Sequence, residues 1–348
     1  MTLAFQRVLI IKLKHLGDVL TTTPVLGGIA SLWPEARVSY LVNPGAEDLV
    51  RHHPMVDTVF TFPRGKGLGA QLSLIMAMRR KKFDLVLELS GGDRGAFLAW
   101  TTGARVRVGY APTRPKFADR RVFLNRLVIT RVDQRHTVEY HLDALRVLDV
   151  EPGDHLMSLH YPDEARQTVR NILKQAGIIG PSPYAVVHPS SRWMFKAWTP
   201  EGNAAVIDYL TREKGLKVVV TSAPDKTELT LVRDVLAMTQ TDVLDLSGRL
   251  NLMELAALID GARMFFGVDS LPMHMAAALA TPAVALFGPS GEHMWGPWGP
   301  GHEVVAKDWE CRPCGRDGCG GSKSSRCLKE MEPEEVFPAL DRVLRGDA

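Results

Sequence analysis

Residues 7–24 read RVLIIKLKHLGDVLTTTP, and the reading of the fold starts from them. Val8 to Ile11 form a short uninterrupted apolar run, the pattern of a strand covered on both faces. Gly17 and Asp18 follow closely, and a helical pattern runs from about Asp18 to Leu32. A strand that passes through a loop into a helix opens a βαβ unit. The rhythm continues with strands at Val38–Val42, Leu85–Leu89 and Val106–Val108 and helical stretches at Gly69–Lys81 and Gln134–Leu148. Between Val150 and Pro162 the segments EPGD and YPD interrupt it. The plan then repeats. Strands are expected at Tyr184–His188, Lys217–Thr221, Met264–Gly267 and Ala283–Phe287. Helices are expected at Pro200–Lys214, Lys226–Met238, Leu252–Gly261 and Ser270–Ala280. The expected class is α/β, with two Rossmann-like doubly wound domains facing across a cleft and ligands at the carboxyl ends of the strands.

Bulk properties narrow the function. A chain of 348 residues suits two domains, and its 45% apolar content is ordinary for a globular protein. No apolar run approaches the roughly 20 residues that span a bilayer. The first apolar stretch is cut short by Lys12, so it reads as a strand rather than a signal peptide, and the protein is expected in the cytoplasm. The net charge of +3 conceals an asymmetry. Residues 1–150 hold 22 Lys and Arg against 13 Asp and Glu, and the remainder holds 20 against 26. Such a basic half is either a solvated face or the footprint of a polyanionic partner. The basic stretch 104–135 does not read as a platform for stacking single-stranded bases, and no nucleic-acid partner is expected.

Three motifs sit where strands end. In the first, Asp18 is either a helix N-cap or a general base, and Gly17 permits a tight turn or a close ligand. No G-x-G-x-x-G follows this strand, which removes most support for a dinucleotide-dependent dehydrogenase. The second, HPSSRWMFKAW at 188–198, offers the hydroxyls of Ser190 and Ser191 and the cation of Lys196. It is either a polar loop or a phosphate cradle. The third, FGVDSLPMHMAAA at 266–278, ends a strand at a glycine and caps a helix with Asp269 or Ser270. Free N–H groups at such an end attract anions, and His274 lies on the face of Ser270.

These motifs, together with LSGRLNLMELAALIDGARMFFGVDS at 246–270 and FGPSGEHMWGPWGP at 287–300, resemble the ADP-heptose:lipopolysaccharide heptosyltransferases, glycosyltransferase family nine. The resemblance covers nearly the whole chain. KLKHLGDVLTTTP, MFKAW and HMWGPW look closest to the heptosyltransferase III branch. It implies a GT-B fold, an ADP-heptose donor, a lipid A–core oligosaccharide acceptor at the inner face of the inner membrane, and no required cofactor or catalytic metal. It implies Asp18 as catalytic base and Lys196 on the donor diphosphate. Gly17, Ser190, Ser191, Ser222, Leu250, Asp269, Ser270 and His274 are the further donor-binding positions. Charge and position suggest Lys12, Lys14, His15, Arg64, Arg94 and Arg114 for the acceptor. The domains are expected as 1–158 for the acceptor, 159–330 for the ADP-sugar, and 331–348 as a last helix packing back on the first domain.

The cysteines Cys311, Cys314, Cys319 and Cys327 share one glycine-rich loop. Structural zinc there is possible but not favoured, because the later spacings match no standard zinc motif. A zinc-dependent nucleic-acid binder is disfavoured further, since the cysteines lie in the acidic half, away from the basic stretch.

Overall fold

The computed structural model describes residues 4–112, 120–130, 135–153, 155–179 and 183–348. The chain forms two compact units, Met1–His160 and Tyr161–Ala348. The first holds strands β1 (Arg7–Lys12), β2 (Arg37–Val42), β3 (Val56–Thr61), β4 (Leu85–Glu88), β5 (Val106–Tyr110) and β6 (Arg126–Val128). They pair in the order β3-β2-β1-β4-β5-β6, all parallel. The second holds β7 (Tyr184–His188), β8 (Lys217–Val220), β9 (Val243–Asp245), β10 (Met264–Val268), β11 (Ala283–Phe287) and β12 (His302–Ala306). Its order, β12-β11-β10-β7-β8-β9, is the same winding. Each chain segment starts in mid-sheet, moves outward one way, then crosses to the other side. The reversal falls between β1 and β4 and between β7 and β10, and open α/β sheets bind ligands at such switch points.

Four strands are absent from the sequence reading: β3, β6, β9 and β12. All four are sheet edges. β1 and β2 are buried along their length after the first residue, whereas β3, β9 and β12 are only half-buried and carry polar residues. An edge strand keeps one rim in solvent, so it has no need of a continuous apolar run. The helices Asp93–Thr101 and Asp163–Gln175 are further elements beyond those expected from the sequence.

The helix expected from Asp18 to Leu32 is two helices, Leu16–Leu20 and Thr23–Leu32. Between them the hydroxyls of Thr21, Thr22 and Thr23 donate to the carbonyls of Asp18, Val19 and Leu20, at 2.9, 2.6 and 2.8 Å. Such back-bonding competes with the helical ladder, and Pro24 cannot continue it.

The terminal helix is Pro333–Arg345. Val336, Ala339, Leu340 and Val343 are buried in the core of the second unit with Ala204, Ile207, Leu210 and Leu286. Phe337 stacks on Tyr209 at 4.1 Å, and the Tyr209 hydroxyl donates to Asp341 at 2.9 Å. These residues help to close the second unit's core. Among the described residues no helix is long and apolar enough to cross a membrane.

Candidate active site

At the first switch point, β1 ends in Lys12 and leads through a short loop into the helix Leu16–Leu20. Asp18 is not the N-cap. It stands three residues after His15, and its Oδ2 accepts the His15 backbone N–H at 3.2 Å. Its side chain is 18% exposed. Gly17 lies inside this helix rather than in a turn, so the sequence argument from its backbone freedom does not apply there. Lys14 and His15 are exposed beside it, and the Asn43 side-chain amide donates to the Lys14 carbonyl at 3.0 Å.

Lys12 lies inside the sheet. Read as a contact for an acceptor phosphate, it is only 3% exposed, because it occupies a strand position aligned with buried Val42. Its ammonium donates to the Leu89 carbonyl at 3.0 Å and to His141 Nε2 at 2.9 Å, and it lies 3.9 Å from Asp18 Oδ1. An ammonium only donates, so Nε2 supplies the lone pair and Nδ1 carries the ring hydrogen toward the Tyr110 hydroxyl, 2.5 Å away. Burial, reinforced by the Lys12 charge, holds His141 well below the usual histidine range, consistent with a neutral ring. Burial pushes Lys12 down to about 8, against the attraction of Asp18 and Glu88. It is therefore mostly protonated at neutral pH.

Glu88, at the end of β4, is fully buried and accepts the N–H groups of Ser90 and Gly91 at 3.0 and 3.1 Å. A side chain at position 95 would collide with it, since a Cβ there would lie 2.1 Å from Oε1, so Gly95 is needed. Burial pushes Glu88 up to about 7 despite those hydrogen bonds and the Lys12 charge. Because its folded value lies above its unfolded one, its contribution to stability is present at pH 4.5 and lost as pH rises through 7. Replacing Glu88 with Gln should remove up to about 3 kcal/mol of that decline. Denaturant melts at pH 5 and pH 8 read it directly: equal pH slopes for the two proteins would refute the assignment.

Of the other positions suggested for the acceptor, Arg64 and Arg94 come together. Both line a cavity of about 390 Å³ with Phe62, Gln71, Ile75 and Phe97, and the Arg94 guanidinium sits over the Phe62 ring at 5.1 Å. Arg114 lies outside the described residues.

At the second switch point, β7 delivers His188, and the loop after it delivers Lys196 on a single 3-10 turn, Met194–Lys196. β10 delivers Asp269. The two meet across 73 residues of sequence, with Lys196 Nζ 2.5 Å from Asp269 Oδ2 and the lysine side chain 22% exposed. Ser270 follows as N-cap of the helix Leu271–Ala278, and His274 is buried one turn on. The Ser270 Oγ is buried without a hydrogen-bond partner. A cation, an unsatisfied hydroxyl and a helix N-terminus together suit an oxyanion.

Ser190 departs from expectation. It is fully buried, and its hydroxyl donates to Glu228 Oε2 at 2.6 Å, so it braces the site from behind rather than facing a phosphate. Glu228 also accepts the Ala223 N–H at 3.3 Å. The family resemblance implies that the segment Ser222 to Glu228 lies near the donor ribose without singling out one residue, and an acid in the first turn of a helix looks like an ordinary capping residue. His188, which burial pushes down to about 4, contacts the Thr221 hydroxyl at 2.9 Å. The Ser191 Oγ accepts the Trp193 N–H at 3.3 Å, Ser222 is buried at the end of the β8 segment, and Leu250 is half-buried.

The four cysteines are free thiols, three exposed and Cys327 buried, where desolvation pushes its thiol up. Among the described residues no group of three or more His, Cys, Asp or Glu is placed to hold a metal ion, so the zinc arrangement finds no support.

Comparison with known proteins accords with this arrangement. The description "glycosyltransferase family 9 (heptosyltransferase)" matches residues 71–323. The chain is 32% identical to lipopolysaccharide heptosyltransferase 3 of Escherichia coli over 335 residues, covering 94% of this chain and 96% of that protein. The fold matches a family 9 glycosyltransferase from Veillonella parvula with a TM-score of 0.84 at 23% identity over 99% of both chains. It also matches the Escherichia coli heptosyltransferase WaaC with ADP with a TM-score of 0.75 at 19% identity, over 97% of this chain and all of that one. With two Rossmann-like units of identical winding and the motifs at both switch points, the chain belongs to glycosyltransferase family 9, the heptosyltransferases, and has their GT-B fold.

Proposed function

We propose that this glycosyltransferase moves heptose from ADP-heptose to the lipopolysaccharide inner core with inversion, and that it performs the heptosyltransferase III step, adding the side heptose to the second core heptose. The similarity to lipopolysaccharide heptosyltransferase 3 supports the step. The observation that carries the chemistry is that each sheet's switch point holds one half of a displacement: a carboxylate beside a caged cation in one unit, and a cation beside a helix N-terminus with an unsatisfied hydroxyl in the other.

In the proposed reaction the Asp18 carboxylate takes the proton of the acceptor hydroxyl. That oxygen bonds to the anomeric carbon as the bond to phosphate breaks, and ADP leaves with the electron pair. Lys196 and the N–H groups at the start of Leu271–Ala278 take up the growing charge. Asp269 holds the ammonium in place until the donor arrives. Lys12 acts on Asp18 from within the sheet and does not meet the acceptor. Ser191, Ser222, Leu250, Ser270 and His274 are the remaining donor positions, and Lys14, His15, Arg64 and Arg94 serve the acceptor. The enzyme works as a peripheral protein on the inner face of the inner membrane.

Incubation with ADP-heptose and truncated core acceptors, with products read by mass spectrometry, tests this. Heptose should be added only to acceptors that already carry the second core heptose. Transfer to heptose-free or singly substituted cores would reassign the step to I or II. Calorimetry should find ADP bound and UDP at least tenfold weaker; the reverse preference would mark a different sugar-nucleotide enzyme.

A further inference from the structure

We infer that the outer face of the helix Leu68–Arg80 is the surface by which this enzyme lies on an anionic lipid bilayer. The inference rests on the reading that its acceptor is a membrane-anchored glycolipid. The helix has two apolar sides. Leu74 and Met78 point into the core of the first unit. Leu68, Leu72 and Met76, spaced four apart and therefore in one stripe, are 78%, 57% and 52% exposed. A single exposed leucine is ordinary on a protein surface, but three in register are not.

What covers the stripe is indicated by the charge around it. Residues 64–83 contain Arg64, Lys66, Arg79, Arg80, Lys81 and Lys82 and no carboxylate. Arg79 is partly engaged with the Thr101 carbonyl and Lys81 with Asp57, while Arg64, Lys66, Arg80 and Lys82 are exposed at the two ends of the stripe. An apolar stripe bracketed by cations suits an anionic leaflet, with the side chains entering the acyl boundary and the cations meeting headgroups. The same cations would repel a second copy of this chain docked face to face. The adjoining helix Asp93–Thr101 adds Phe97 and Trp100, 42% and 49% exposed, and aromatic rings favour the headgroup level. These two helices also supply walls of the Arg64 and Arg94 cavity. The acceptor's sugars and the bilayer that anchors them would thus be met by neighbouring parts of one unit.

Vesicle flotation tests the surface without any acceptor present. The wild-type protein should float with vesicles of 30% phosphatidylglycerol in phosphatidylcholine, and lose most of that binding in 0.5 M salt or on pure phosphatidylcholine. The variant Leu68→Gln/Leu72→Gln/Met76→Gln retains good helix formers. It should bind anionic vesicles at least tenfold more weakly while glycosylating a deacylated, water-soluble core acceptor at the wild-type rate. Undiminished flotation of that variant, or no flotation of the wild type, would overturn the inference. So would a wild-type dimer that the triple substitution converts to monomer. Failure of the wild type to glycosylate the soluble acceptor would count against the proposed transferase reaction and leave the flotation result to decide the surface.

Discussion

Asp18→Asn should lower kcat/KM for heptose transfer by about 10²–10⁴-fold, the range attributed to a positioned general base. Asparagine keeps the volume and can still accept the His15 N–H that Asp18 Oδ2 accepts at 3.2 Å, so the helix start should survive. What it removes is the proton acceptor and the charge facing Lys12 at 3.9 Å. Donor binding, assigned to groups of the other unit, should change less than about threefold in calorimetry. Asp18→Ala should lose as much activity and some stability in addition, because the His15 N–H loses its partner. Turnover near the wild-type rate in the asparagine variant would remove Asp18 as the base and leave it only as the acceptor of the His15 N–H.

Lys196→Ala should cost about 10²–10³-fold in kcat/KM, comparable to deleting one preorganised donor to a developing oxyanion. Here the loss should appear in ADP affinity as well, since the ammonium would meet the diphosphate in the ground state too. The 2.5 Å pair with Asp269 complicates the reading, because removing the lysine strands a nearly buried carboxylate. The double substitution Lys196→Ala/Asp269→Asn separates the two effects. If Lys196 only neutralised Asp269, the double variant would recover most of the activity. If it holds the leaving diphosphate, the double variant should stay as slow as the single one. Lys196→Arg should recover only part, because a planar fork does not reproduce a compact ammonium in a site shaped around one.

The sequence by itself determined the middle of each sheet. β7 and β11 and the helix Lys226–Met238 have the bounds that their apolar patterns suggested, since strands covered on both faces must be apolar throughout and show it locally. It also marked the loops after β1, β7 and β10, where a glycine, an acid or a hydroxyl follows an apolar run. Only the tertiary structure decided the rest. The four edge strands follow from a partner's register rather than from their own composition. The face buried by Pro333–Arg345 depends on which core has room for it. The burial of Lys12 is set by neighbours 77 and 129 residues away, the Leu89 carbonyl and His141. Burial, ion pairing and shifted protonation come from contacts between distant segments, and a one-dimensional pattern reports only what each residue's immediate neighbours require.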